Sequence, residues 1–467
     1  MKNRLYETNY TNIVESLYGD KRDIMFDSEL EKEINSNHYY SINTRVNLTH
    51  LDIYSIDPEG CKDADDAFSI FEKDNKLFLA IHIADPTDYI PLNSNIWNDV
   101  LNRTTTKYPS NREPVHMLPD KILKLSSLQG DINGIKKKAI TILTEIDKEK
   151  YIPINKIKIL FSEILVKYKN AYSYKNAAIN KDIIKEFKLG LNISESLKYK
   201  RSLLTKGVKL NELNTSYIIY DYDNLYLYED SKEEKLVKQM IAEFAIFANS
   251  FIGEYLKINL NIGIFRVCNA NSWLNTIYTE ISGEQLLQEI ITNGIRADYM
   301  SNVSSHDLVG MPEYCHFTSP IRRLSDCICH YLIKYIYLKN TMHIEEPFTD
   351  IELEKNANLC LTTTKNDKKN QYLDIKFRLL QVMYNMLLIN DSIKIGYYIT
   401  NYSGLFLNII ITKINNFNVH MSYTLRVKNF EKNFDPKIIS FISITKVNCF
   451  TKYDQGTIPE LDYQLLN

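Results

Sequence analysis

The chain has 467 residues, 44% of them hydrophobic, and a formal net charge of −2 from 56 basic and 58 acidic side chains. That length and composition exclude a fibrous or disordered chain and allow one large domain with a small one beside it. The near balance of charge excludes a global positive field as the route to nucleic acid. Seven cysteines without Cys-x-x-Cys spacing, Cys327 and Cys329 among them, read as reduced thiols that build neither a disulfide framework nor a zinc site.

Residues 1–50 read as a polar leader with one helical stretch at Asp27–Ile34. Its opening, Met1-Lys2-Asn3-Arg4-Leu5-Tyr6-Glu7-Thr8, lacks the apolar stretch of a signal peptide, and no run of about eighteen apolar residues follows it. A soluble, intracellular protein is therefore expected, in the cytoplasm, an organelle or the nucleus. Between 51 and 150 the pattern is of strands and loops. Alternating Phe68 and Ile70, the turn Lys73-Asp74-Asn75-Lys76 and the run Leu77 to Asp85 predict a β-hairpin, with further strands at Val115–Pro119 and Ile140–Ile146. Helices are predicted over 179–187, 193–204, 233–255, 283–291, 321–338 and 353–390. From 395 to 467 β-branched and aromatic alternation returns between polar turns at Asn415-Asn416 and Lys432-Asn433, and roughly five short strands there predict a small OB-type barrel.

Four acids, Asp57, Asp63, Asp65 and Asp66, fall in the stretch Ile56-Asp57-Pro58-Glu59-Gly60-Cys61-Lys62-Asp63-Ala64-Asp65-Asp66-Ala67. Like carboxylates close together repel, and the apolar flanks put them at a half-buried edge, so a counter-charge is needed. A hard divalent cation answers the need, because Mg²⁺ takes oxygen ligands while keeping water and substrate phosphate in its shell. In an extended strand Asp63 and Asp65 would face one side and Asp66 the other, so convergence requires a bend, which Pro58 and Gly60 supply. A calcium loop of the EF-hand kind fails, since counting from Asp63 puts Phe68 and Asp74 where Gly and Glu are required.

Between Ile132 and Asn180 ten lysines outnumber four acids, with Tyr151, Tyr168, Tyr172 and Tyr174 interleaved. Such a stretch can follow a phosphate backbone while stacking bases, and it can equally be a solvated face. A second constellation is Tyr314-Cys315-His316-Phe317-Thr318-Ser319-Pro320-Ile321-Arg322-Arg323-Leu324. Ser319 suits a helix N-cap and Pro320 the first helical position, which would put Arg322 and Arg323 in a first turn that favours acids. Either an anionic ligand resolves that conflict or Arg322 pairs with Asp326 one turn on.

Taken together, the two segments resemble the signature regions of the RNB family, the ribonuclease II and ribonuclease R type exoribonucleases. Intervening blocks are similar as well: Ile81-His82-Ile83-Ala84-Asp85-Pro86, Met117-Leu118-Pro119 and Glu243-Phe244-Ala245-Ile246-Phe247-Ala248-Asn249, so that the likeness covers roughly residues 45–385. It implies an α+β chain: a leader over 1–50, an RNB catalytic domain of mixed sheet and helices over 51–390, and an S1/OB-like β barrel over 395–467. It also implies 3′ to 5′ hydrolysis of single-stranded RNA to nucleoside 5′-monophosphates by a two-metal mechanism with Mg²⁺, or Mn²⁺ in its place. Asp57, Asp63, Asp65 and Asp66 match the metal and catalytic carboxylates, and Arg322 the arginine at the scissile phosphate. Tyr108 matches the aromatic that stacks on the RNA 3′ end, Tyr174 the tyrosine that reads the sugar, and Glu243 a glutamate near the nucleotide path; Arg323 and Ser319 flank Arg322 as substrate-binding residues.

Three positions depart from the family pattern. Leu324 stands for the usual tyrosine, Cys268 for a histidine, and the Glu-Arg step expected near Lys365-Asn366-Asp367 is missing. The acid cluster starts at residue 57, which leaves no room for the cold-shock domains common in the family and implies weak or distributive binding, or a protein partner that supplies RNA affinity. The rivals are a catalytically silent RNB-fold RNA-binding or scaffold protein and a metal phosphodiesterase acting on other nucleotides.

Overall fold

The computed structural model describes residues 17–18, 27–36, 38–110, 113–154, 157–203, 216–221, 224–276, 289–290, 293–403, 406–426, 439–447 and 461–465. Helix α1 (Asp27–Ile34) precedes strands β1 (Val46–Asn47) and β2 (Ser55–Asp57). The predicted hairpin forms as β3 (Asp66–Lys73) and β4 (Lys76–Ala84), with Asp74 and Asn75 at φ 51° and 59° as a tight two-residue connection requires. Helices α2 (Asn95–Arg103) and α3 (Asp120–Ser126) follow, then β5 (Lys137–Ile146), β6 (Lys158–Ile164) and β7 (Ala171–Ser173). These strands make a five-stranded sheet in the order β1-β6-β5-β4-β3, antiparallel except for β1 against β6, and a parallel pair β2-β7. Ile81, Ile83 and Ala84 on β4 are wholly buried on a strand covered from both faces.

Helices α4 (Tyr174–Asn180) and α5 (Lys185–Ser202), the hairpin β8 (Tyr217–Asp221) with β9 (Asn224–Tyr228), and the 28-residue α6 (Lys232–Asn259) come next. Ser231 and Glu234 close a capping box on α6, so its start is fixed by sequence. By length and composition α6 could cross a membrane. Here Val237, Met240, Phe244, Ala248, Ile252 and Leu256 bury one face of it in the main core instead. Strand β10 (Phe265–Val267), helix α7 (Asn271–Leu274), strand β11 (Asp298–Met300), helix α8 (Leu324–Leu338) and the 38-residue α9 (Asp350–Leu387) complete the central part. The tail forms β12 (Ile393–Ser403), β13 (Phe406–Ile414), β14 (Phe417–Arg426), β15 (Ser440–Val447) and β16 (Leu461–Leu465) in the order β14-β13-β12-β15-β16, all antiparallel, the arrangement of an OB-like barrel.

Several expectations need correction. Residues 115–119 form no strand; Val115 makes only an isolated bridge to Lys107. The helices expected at 179–187 and 193–204 are α4 and α5, shifted because Ser173 caps at Tyr174 and the chain turns after Asn180. Helix α8 starts at Leu324, three residues later than expected, because Ser319–Arg322 is a turn closed by Arg322 N–H to the Ser319 carbonyl with Pro320 at its second position. The helix expected at 283–291 and the turn at 432–433 lie outside the described residues, apart from a helical step at 289–290. Helices α2 and α3 interrupt the stretch expected as strands and loops, and strands β1, β6, β7, β10 and β11, helix α7 and the β8-β9 hairpin have no counterpart among the predicted elements.

Candidate active site

Asp57 ends β2 and Asp66 opens β3, and the loop between them is folded back by a turn in which Cys61 N–H bonds the Pro58 carbonyl, with Gly60 at φ 74°. The base of that loop is fixed to the fold by three bonds: Ala64 N–H to Ser127 Oγ (3.1 Å), Leu128 N–H to the Ala64 carbonyl (2.9 Å) and Ala84 N–H to the Asp65 carbonyl (2.8 Å). The bend at Pro58 and Gly60 thus brings all four aspartates together. Burial, and then the fields of Asp66, Asp65 and Asp63, push Asp57 well above the ordinary carboxylate range. Burial lifts Asp65 to about 7 and Asp66 to about 6, even though Arg322 opposes both shifts.

The second constellation closes on the first. Asp65 Oδ1 accepts from Ile321 N–H (2.8 Å) and Oδ2 from Arg322 Nε (2.8 Å), while Arg322 Nη2 reaches Ser319 Oγ (2.9 Å). The helix starts later than either reading assumed. Arg322 and Arg323 precede the helix, and the acid at its positive end is the wholly buried Asp326, which accepts from Ser319 N–H (2.7 Å) and Arg323 Nη2 (2.8 Å). The pairing expected of Arg322 with Asp326 is made by Arg323, at three residues' spacing. Segment 104–108 is tied alongside through Thr106 N–H to the Arg322 carbonyl (3.0 Å) and Leu324 N–H to the Thr104 carbonyl (2.8 Å). Tyr108 is thereby carried onto the acid cluster, where its hydroxyl donates to Asp63 Oδ2 while the residue as a whole stays 37% exposed.

Tyr174 opens α4 on the other flank, close enough for Asp66 and Asp57 to add to the burial that raises its phenol. Lys238 Nζ lies 5.3 Å from its ring centroid. Glu243 is buried on α6, and both its oxygens accept from Arg201 (2.6 and 3.2 Å), so contact with a ligand requires that pair to open. Half of the ten lysines between 132 and 180 are similarly engaged: Lys136 with Glu163, Lys137 with the Lys124 carbonyl, Lys138 with Asp88, Lys148 with Glu72 and Lys167 with Asp52. Four of these five pair with the protein's own acids.

Sequence reasoning missed two groups. Cys61 Sγ lies 3.5 Å from Asp63 Oδ1 and 3.9 Å from Asp57 Oδ1, and His116 Nδ1 lies 3.8 Å from Asp63 Oδ2. Behind the site, Asp85 and Asp88 form a buried network with Arg45 (2.6 and 2.9 Å) and Lys334 (2.9 and 3.2 Å), locking α8 to the end of β4. Of the departures, Leu324 is a buried apolar start to α8, and Cys268 is buried beside Leu308 and Trp273.

Among the described residues no three His, Cys, Asp or Glu side chains already stand as a closed metal cage. The donor set nevertheless suits a hard cation. Burial raises Asp57, Asp65 and Asp66, the neighbouring carboxylates add to the shift at Asp57, and Mg²⁺ is ordinarily held through one or two carboxylates, with waters and substrate phosphate completing the shell.

The RNB domain pattern matches residues 45–339. The chain is 28% identical over 360 residues to Exoribonuclease 2 of Buchnera aphidicola subsp. Cinara cedri, covering 66% of this chain and 53% of that protein; it spans about half the length of the curated relatives it matches. Its fold is similar to Mycoplasma genitalium RNase R in complex with ribose methylated single-stranded RNA, at a TM-score of 0.76 and 19% identity over 98% of this chain and 78% of that one. It also resembles yeast Ssd1, a pseudonuclease, at 0.64 and 16% over 89% and 55%.

Proposed function

This chain belongs to the RNB family, and from that premise we propose that it is a 3′ to 5′ exoribonuclease that hydrolyses single-stranded RNA to nucleoside 5′-monophosphates. The observation that carries the reading is the meeting of Asp57, Asp63, Asp65 and Asp66 with Arg322, from segments some 260 residues apart in sequence, at one half-buried point. A pseudonuclease has no need to keep a set of mutually repelling buried carboxylates beside an arginine.

Asp57, Asp63 and Asp66, with Asp65, are the residues that would hold Mg²⁺ or Mn²⁺. When bound, the cation polarises the scissile phosphate and makes water a better nucleophile. Arg322 presents its remaining N–H donors to the phosphate while Asp65 and Ser319 fix its Nε and Nη2, so the guanidinium is aimed before substrate arrives and offsets charge as it develops. Asp65 therefore serves also as the positioning carboxylate of Arg322. Tyr108 offers a ring for the terminal base and Tyr174 a hydroxyl for the ribose. Arg323 and Ser319 hold the Arg322 turn in shape. In this reading residues 51–390 are the catalytic unit and 395–467 an S1-like clamp on the strand.

The test is incubation with 5′-labelled RNA and DNA oligomers in Mg²⁺, resolved on a denaturing gel. Loss of RNA to mononucleotides and a short limit product, with DNA intact, is expected. RNA retained uncut while bound would instead mark a silent RNA-binding protein, and equal attack on DNA a general phosphodiesterase.

A further inference from the structure

Beside Arg322 lies a cavity of about 530 Å³, walled by the Thr104–Tyr108 segment, by Arg266 and Tyr299 of the β10-β11 pair and by Asp367 and Lys368 on α9. Its lining includes Tyr108 and Arg322, which touch Asp63 and Asp65, and Gln371 of α9, whose neighbour Tyr372 accepts from Ser422 N–H of β14. Two of its cations are committed, Arg322 to Asp65 and Arg323 to Asp326.

Arg266 is different. It is 8% exposed, its Nη1 is shielded from solvent with no acceptor in reach, and among the described residues it makes no ion pair. Its guanidinium lies 4.6 Å over the Tyr299 ring, a contact that steadies the cation without neutralising it. Lys368 stands near enough for Arg266 to add to the burial that lowers its pKa. The field is felt by neighbouring imidazoles: burial and then Arg266 hold His306 at about 4, and burial, Arg323 and Arg266 keep His316 neutral. Among the described residues Asp367 is the one carboxylate lining this space, and it is itself raised by burial and accepts from Thr105 Oγ1 (3.2 Å). A buried guanidinium without a carboxylate is costly unless an anion completes it.

We propose that Arg266, with Lys368, anchors a backbone phosphate of the RNA strand inside this cavity, upstream of the phosphate that Arg322 meets. The inference rests on the exoribonuclease reading, since it takes the cavity as the passage between the tail sheet and the acid cluster. The aromatic walls fit the occupant, giving bases a surface while the cations hold the backbone. Arg266 is then a substrate-binding residue that sets affinity for the strand, not for the scissile group.

The test compares wild type with Arg266→Met, which keeps the stem and removes the charge, and with Arg266→Lys and Lys368→Met. Binding of fluorescein-labelled single-stranded RNA is followed by anisotropy against salt, with EDTA present so that nothing is cut; steady-state cleavage is then followed in Mg²⁺. The methionine variant at 266 should bind about tenfold or more weakly. It should lose about 0.7 from the slope of log affinity against log salt, with KM raised and kcat within about twofold. Arg266→Lys should keep the slope, and Lys368→Met should lose a similar increment, which keeps the inference testable if Arg266→Met does not fold. Wild-type slope and KM in the methionine variants, in a protein that does bind and degrade RNA, would overturn the phosphate anchor alone and leave Arg266 a stacked structural residue. A wild-type protein that neither binds nor cuts RNA would overturn both readings.

Discussion

Arg322 Nε lies 2.8 Å from Asp65 Oδ2, joining the aspartate loop to the turn before α8. Since Ile321 N–H occupies the other oxygen, both lone-pair directions of Asp65 that face this turn are used. An amide in its place would set an N–H₂ group against one of two donors. Asp65→Asn is therefore expected to loosen Arg322 as well as remove a charge, and to lower cleavage by about a thousandfold. RNA affinity, measured separately by anisotropy, should stay within a few fold of wild type. Near-normal cleavage by this variant would sink the assignment.

The raised carboxyls give a pH signature. Asp65 sits at about 7 and Asp66 at about 6, against 3.8 for an ordinary aspartate, with burial the leading cause in each. A carboxyl raised by folding favours the native state while protonated: the contribution is complete below about pH 4 and is lost as pH rises through 6 and 7. Protein freed of divalent ions should thus melt at lower temperature at pH 8 than at pH 5. Added Mg²⁺ or Mn²⁺ should raise the melting temperature more at pH 8, with proton release on binding seen by calorimetry in two buffers. A melting temperature that ignores both pH and cation would show that no cation site forms there.

Tyr108 offers two groups, a hydroxyl bonded to Asp63 and an aromatic ring on a partly exposed residue, and two variants separate their roles. Tyr108→Ala removes stacking worth about 1–3 kcal/mol per base, so short oligomers should leave earlier and the limit product on a denaturing gel should lengthen. Tyr108→Phe keeps the ring and should keep the wild-type limit product. If the alanine variant also ends at the wild-type length, Tyr108 does not hold the 3′ end.

The hairpin, the acid cluster and the tail strands were legible because each is local: Asp74-Asn75 dictates its turn, and the bend at Pro58 and Gly60 gathers the acids. Tertiary pairing was not. No spacing rule says that Arg322 meets Asp65 rather than Asp326, or that Arg201 closes over Glu243 from a different helix. The late start of α8 has the same origin, since the turn at Ser319–Arg322 is held by Asp65 and Asp326 together. Arg266 stands in the stretch Phe265-Arg266-Val267-Cys268, where only the cysteine departs from the family pattern, and nothing in that stretch says that the guanidinium is buried against Tyr299.

Removing the tail would not isolate an RNA clamp, because the sheet also covers the end of α9. Phe377, Leu379, Leu380, Val382 and Met383 at the end of α9 share one buried cluster with Leu225 and Leu227 of β9 and with Ile393, Ile395, Ile409, Ile411, Ile442 and Ile444 of the tail sheet. Cutting after residue 392 would leave those α9 side chains facing water, at about 1.5–3 kcal/mol for each large one exposed. The truncated protein is expected to aggregate or to melt well below wild type, so its weakened RNA binding would say little about the clamp. The cleaner variant is Lys413→Gln, an exposed side chain on β13 whose change leaves the core untouched. It should keep the wild-type melting temperature, and if the sheet grips phosphates it should lower the salt slope of RNA binding by up to about 0.7. A truncated chain that stays monomeric with the wild-type melting temperature would show that α9 does not depend on the sheet.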